Sequence, residues 1–169
     1  MRREKSLRPI HTEIKTVEGS VYGRILLGNG GYASVDSVTG VQDLRVYVYK
    51  AGVDDEVSEL ITRSHIGDQV VALTNFGGWE SSIDSLKAEH HSFGTANLDL
   101  QYSHAWKGVV HAVSSAVGHL EVQGDAGLVF EKKEEHEVLA HKGKDTHQYT
   151  IDVISDGTGS TCFKSWYTW

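Results

Sequence analysis

The sequence predicts an all-β fold, or a mainly β fold with one or two short helices, arranged as an antiparallel β-sandwich with a β-barrel as the alternative. Three observations carry this expectation. Apolar and polar residues alternate in several runs, as they do on half-buried strands. Glycine punctuates those runs: there are 18 glycines and a single proline, Pro9. Segments with helical spacing are too few to supply the crossovers of a parallel α/β sheet.

The strand candidates follow in chain order. Residues 20–27 carry Val21, Ile25 and Leu27. In 44–50, Leu44, Val46 and Val48 face one way and Arg45, Tyr47 and Tyr49 the other. Residues 69–74 hold Val70, Val71 and Leu73. The clearest alternation is 95–102, where Ala96, Leu98, Leu100 and Tyr102 oppose Asn97, Asp99 and Gln101. Val109 and Val113 mark 109–113, and Leu120 and Val122 mark 119–123. In 148–154, Tyr149, Ile151 and Val153 alternate with Thr150 and Asp152. The stretch 161–168 is rich in aromatic residues and Thr, which suit a pleated surface.

Between these runs, Gly28-Asn29-Gly30-Gly31 reads as a hairpin loop, because Asn-Gly tolerates positive φ. Asp156-Gly157-Thr158-Gly159 divides the last two strands in the same way, and Gly77-Gly78, Gly124 with Gly127, and Gly143 mark further turns. Two segments have helical spacing. Asp54–Arg63 opens on acids and places Val57, Leu60 and Ile61 on one face; Ser81–His91 places Ile83, Leu86 and His90, with Ser82 as an N-cap. The charge run 131–137 reads as a solvated loop or a strand edge. No internal repeat or linker stands out. The expected organisation is a flexible basic arm over 1–10 followed by one β-rich domain over 11–169.

Charge and composition exclude some function classes. The formal charge of −7 disfavours nucleic acid as a partner. The basic arm, with Arg2, Arg3, Lys5 and Arg8 against Glu4, is the local exception. One cysteine, Cys162, permits no internal disulfide. No apolar run approaches the roughly 20 residues of a membrane helix, and no secretory h-region follows the basic start. The expected location is cytoplasmic, or outside the cell without a classical signal.

Candidate chemistry lies in three places. Eight of ten histidines fall between residues 90 and 147: His90, His91, His104, His111, His119, His136, His141 and His147. No H-x-H or H-x-x-x-H spacing accompanies them, so no metal site and no cofactor is assigned. Protonating all ten would carry the formal charge from −7 to +3. The aromatic residues Trp79, Trp106, Trp166, Tyr167 and Trp169 are the ligand-binding candidates, since Trp at loop tips and chain ends suits sugar rings, lipid headgroups or a partner protein. Catalytic motifs give a negative result: there is no P-loop, G-x-S-x-G elbow, H-E-x-x-H or C-x-x-C, and no catalytic residue is assigned. Cys162, between Thr161 and Phe163, reads as a small core residue more readily than as a nucleophile.

The leading expectation is a non-enzymatic, lectin-like or toxin-like binding protein that presents aromatic and His-bearing loops to a carbohydrate, a lipid surface or a protein partner, with homo-oligomers compatible. The alternative is a small β-barrel enzyme using His and Asp/Glu as acid–base groups or metal ligands. A structural or assembly protein is a third option.

Overall fold

A computed structural model describes the chain except residues 1–9, 29, 50–56, 77–81, 84, 144–148 and 168–169. The described residues form fourteen strands and no helix. In chain order these are β1 (His11–Thr16), β2 (Val21–Gly28), β3 (Tyr32–Ser37), β4 (Gln42–Tyr49), β5 (Ser58–Ser64), β6 (Gln69–Asn75), β7 (Leu86–Gly94), β8 (Leu98–Ser103), β9 (Gly108–Ser114), β10 (His119–Gly124), β11 (Leu128–Lys133), β12 (Glu137–Lys142), β13 (Thr150–Gly157) and β14 (Ser160–Tyr167).

The expected antiparallel sandwich is corrected here. Two sheets face each other across one core, but their strands are mostly parallel. Sheet A has the order β1-β3-β5-β7-β13-β9-β12-β11, and sheet B the order β10-β14-β8-β6-β4-β2. Apart from the β11–β12 hairpin, the chain alternates between them, so each sheet-A strand and the sheet-B strand after it make one coil of a solenoid. The crossover that a parallel pair requires is therefore a strand of the opposite sheet, not a helix. This is why a parallel sheet forms here without helical segments. Antiparallel pairing is confined to β11, β12 and β9 at one end of sheet A.

The two segments with helical spacing are strands. In β5, Ser58, Leu60, Thr62 and Ser64 point inward; in β7, Leu86, Ala88, His90 and Ser92 do so. Period two wins over the apparent helical spacing because Ile61 lies half-buried on the outer face of sheet A. Residues 54–56, 81 and 84 lie outside the described residues. The expected hairpin at 28–31 instead links β2 in sheet B to β3 in sheet A, with Gly30 at φ 71°. The Asp156–Gly159 turn likewise joins β13 to β14 across the two sheets. The 131–137 run forms the end of edge strand β11 and its turn into β12.

The coils stack in register, so equivalent residues form columns through the core. Ala33, Leu60, Ala88, Ile151, Val110 and Ala140 make one column; Leu44, Val71, Leu100, Phe163 and Val122 make another from sheet B. All are buried. The corners repeat as well. Ser37-Val38-Thr39-Gly40-Val41-Gln42 and Ser64-His65-Ile66-Gly67-Asp68-Gln69 share the pattern Ser-x-x-Gly-x-Gln, 27 residues apart. Gln42 donates through Nε2 to the Arg63 carbonyl (2.5 Å), and Gln69 donates in the same way to the His91 carbonyl (2.7 Å). Each buried glutamine thus ties its own coil to the next.

Glycine is required at these corners by close approach. A Cβ on Gly67 would collide with the backbone carbonyl of Gly40 in the coil beside it. Gly67→Ala is therefore expected to destabilise the fold by about 3 kcal/mol, the upper part of the range for overpacking. Urea unfolding measures this, and a change within about 0.5 kcal/mol, as at a tolerant surface site, would contradict the corner geometry.

The C-terminal coil does not sit at the end of the stack. β13 lies between β7 and β9, and β14 between β8 and β10. The chain builds four coils, leaves one slot, lays down β9–β10 and the β11–β12 hairpin, and returns to fill the slot. Lys142, at the end of β12, fastens that far end. Its Nζ donates to Asp125 Oδ2 (2.5 Å) and to the His104 carbonyl (2.8 Å). Burial alone would raise the Asp125 carboxyl. Hydrogen bonds from Lys142 and the Gly127 N–H outweigh it and hold the group below its usual range.

A polar chain crosses the core. The Gln69 amide is oriented by its bond to the His91 carbonyl, so its Oε1 accepts from the Thr62 hydroxyl (2.7 Å). Thr62 Oγ1 then accepts from His90 Nδ1 (2.8 Å), and His90 Nε2 accepts from the Tyr102 hydroxyl (2.7 Å). His90 is thus a neutral imidazole with its proton on Nδ1. Burial drives its pKa down to about 3 and pushes the Tyr102 phenol upward.

Candidate ligand-binding face

Strands β2, β4 and β6 pair in parallel, and their outward positions form rows across sheet B. Tyr22 stands opposite Asp43, Arg24 opposite Arg45, and Leu26 opposite Tyr47. On β6 the rows continue with Val70, Ala72 and Thr74. Pairing extends one residue beyond β6, where the Phe76 N–H donates to the Val48 carbonyl (2.8 Å). That bond fixes Phe76 beside the end of β4.

The outcome is an exposed aromatic cluster. Phe76 meets Tyr47 edge-on at 6.2 Å between ring centroids and Tyr49 at 6.0 Å. Phe76 is 53% exposed and Tyr49 38%, and Leu26 beside them is also exposed. Outward aromatic rings cost hydration that a core position would relieve, so a contiguous group of them marks a contact surface. Arg24 and Arg45 adjoin it, two residues back along β2 and β4.

The aromatic residues singled out from sequence divide three ways. Trp106 is wholly buried, which corrects its assignment as a ligand platform. It packs on Tyr102 and Phe163 with centroids 5.9 and 5.5 Å away, and Gly108 leaves room for its indole. Trp166 is 44% exposed and projects from β14 on the outer side of sheet B. Tyr167 ends β14 in pairing with Ser103. Trp79 and Trp169 lie outside the described residues. The cluster that sequence reading left unmarked, Tyr47, Tyr49 and Phe76, was signalled by two tyrosines on the non-core face of 44–50.

The histidines do not converge. His90 is in the core. His91 Nε2 lies 2.8 Å from Asp156 Oδ2, His111 lies 3.2 Å from Glu137 and 3.9 Å from Asp152, and His141 lies 2.8 Å from Glu131. These are separate imidazole–carboxylate pairs on the outer side of sheet A. His104 and His119 are exposed, and His147 is outside the described residues. Among the described residues, no group of three or more His, Cys, Asp or Glu is placed to hold a metal ion. Sheet A also has a shallow depression of about 370 Å³ lined by Glu59, Ile61, Lys87, Glu89, Thr150 and Asp152. Burial raises the Asp152 carboxyl, with His111 opposing and Glu89 adding to the rise.

Cys162 is half-buried on the outer side of sheet B, and burial raises its thiol, with Lys164 opposing. That environment disfavours the thiolate a nucleophile needs. No helix among the described residues is long and apolar enough to cross a membrane.

The chain matches no protein-family model, no curated protein and no solved structure.

Proposed function

We propose that this protein is a non-enzymatic binding module that engages its ligand on the outer face of sheet B. The observation supporting this reading is the exposed cluster of Tyr47, Tyr49 and Phe76, with Leu26 beside it. Its rings are rooted on paired strands, so little conformational freedom is lost when a ligand lands on them. Tyrosine offers an apolar ring and a polar tip together, the combination that dominates contact surfaces.

The test is a binding screen with the full chain and two variants. Tyr49→Ala and Phe76→Ala are each expected to weaken binding about 10- to 100-fold, the usual cost of removing an aromatic anchor. Both should keep the circular dichroism and melting midpoint of the parent, because these rings point away from the core. Unchanged affinity in both variants would remove the reading.

A further inference from the structure

We propose that the ligand of this face is an acidic carbohydrate, with a sugar ring resting on the Tyr47–Tyr49–Phe76 cluster and its carboxylate or sulfate held by Arg24 and Arg45. The inference rests on the binding reading above and adds the ligand's charge and class.

Arg24 and Arg45 are directly opposed in the parallel register of β2 and β4, and both are exposed. Neighbouring strands lie about 4.8 Å apart. Like charges directly opposite each other across strands are unfavourable, and an anion seated between them reverses the sign of that contribution. Guanidinium forks match carboxylate and sulfate oxygens in pairs. Arg45 also makes a contact within the chain, to which the anion's contact would be added. Asp43 is the carboxylate on these same rows, and it lies on the side of Arg45 away from Tyr47. The arginine pair therefore meets the aromatic cluster with no carboxylate between them on β2 or β4. On a chain with a formal charge of −7, a paired positive rung at the edge of an aromatic patch favours an anionic ligand.

Spacing and ring geometry favour a sugar. Tyr47 follows Arg45 by two residues, and Leu26 follows Arg24 by two, so ring and charge are separated by about 6.6 Å along the strands. One sugar residue with its acidic substituent spans such a gap. The rings meet edge-on, at interplanar angles of 89° and 68°, so they do not lie in one plane as a flush apolar wedge. Insertion into a lipid surface draws on a broad apolar face, whereas a polysaccharide needs platforms and hydrogen-bonding tips.

The experiment is titration calorimetry of the full chain with polygalacturonate, heparin and dextran, at about 0.05 and 0.5 M salt. At least one acidic polymer is expected to bind about tenfold or more tightly than dextran, with affinity falling at high salt. The double variant Arg24→Gln/Arg45→Gln should lose that preference and most of the salt dependence while melting like the parent. Phe76→Ala should weaken binding to every polymer. Equal binding of dextran, or an arginine variant that behaves like the parent, overturns the acidic-sugar inference. If Phe76→Ala is still defective in that case, the aromatic platform survives alone. Binding to none of the polymers, or capture by phosphatidylserine vesicles in preference to them, also overturns it. An arginine variant that melts lower is replaced by Arg24→Lys/Arg45→Lys, which keeps the charge and removes the forks. Retained preference for acidic polymer in that variant assigns the effect to charge, and its loss assigns it to the paired geometry; a preference absent from the parent leaves neither.

Discussion

A chain that stops after Gly143 is expected not to fold, even though it retains twelve of the fourteen strands. In a solenoid whose last coil sits at the end, such a cut would trim the stack and leave the rest standing. Here β13 and β14 fill an internal slot, and each pairs with a strand on both sides. Removing them leaves β7, β8 and β9 without a neighbour on one side, and β10 without any strand partner. It also removes Ile151, Val153 and Phe163, all fully buried. At about 1.5–3 kcal/mol for each such side chain, the apolar loss alone is roughly 5–9 kcal/mol, comparable to the whole net stability of a domain. The expected readout is loss of a cooperative unfolding transition and of the near-ultraviolet signal from packed Tyr102 and Trp106. A truncated chain that melts cooperatively would show that the slot closes without its occupant.

Acid is expected to destabilise the protein well above the range where its carboxylates titrate. His90 is neutral in the folded state, with a pKa near 3 against 6.5 when unfolded. The unfolded chain therefore takes up a proton between these values and the folded one does not. The His90 contribution is fully present above about pH 6.5 and declines as pH falls toward 3, by about 1.4 kcal/mol per unit. Between pH 6.5 and 4.5 the loss is about 2 kcal/mol, because the slope is only half developed at the upper limit. The Asp125 and Glu137 carboxyls, held low by hydrogen bonds, act mainly below that window. Urea unfolding across this range for the parent and for His90→Gln, which can still bridge Thr62 and Tyr102 but does not titrate, isolates the effect. Parallel pH profiles for the two proteins would show that the buried imidazole is not its source.

Much of the strand content was legible in the sequence. Alternation in Leu98, Leu100 and Tyr102, in Leu44 and Val46, and in Ile151 and Val153 reports which side chains turn inward, and the structure places all seven in the core. Strand direction was not legible, because a half-buried strand alternates identically whether its neighbour runs parallel or antiparallel. The Asn-Gly turn at 28–31 pointed to a hairpin for a related reason. A residue pair that permits positive φ says nothing of which sheet the next strand joins. The repeated Ser-x-x-Gly-x-Gln corner was the one local sign of stacked coils, and the 21 residues of unrelated sequence between its two copies, 43–63, concealed it. The position of β13–β14 could not be read at all, since the slot is defined by strands distant in sequence. At the candidate site, the outward direction of Arg45, Tyr47 and Tyr49 was legible. Their companionship with Phe76 was not, because it depends on the pairing of β4 with β6. Trp106 misled through its side chain: a large ring before a glycine resembles a loop-tip platform, but Gly108 serves to admit that ring into the core.

Filling the middle of the stack last also has a consequence for the newborn chain. A protein leaves the ribosome from its N-terminus at about 5–20 residues per second, so the 26 residues after Gly143 take roughly 1–5 s to synthesise at that rate. Throughout that interval every strand up to β12 has been made, yet the place between β7 and β9 has no occupant. Its bare edges can then accept the matching segment of a neighbouring nascent chain, and crowding on a polysome raises the chance of that exchange. Delivery of β13 and β14 is the event that closes the core.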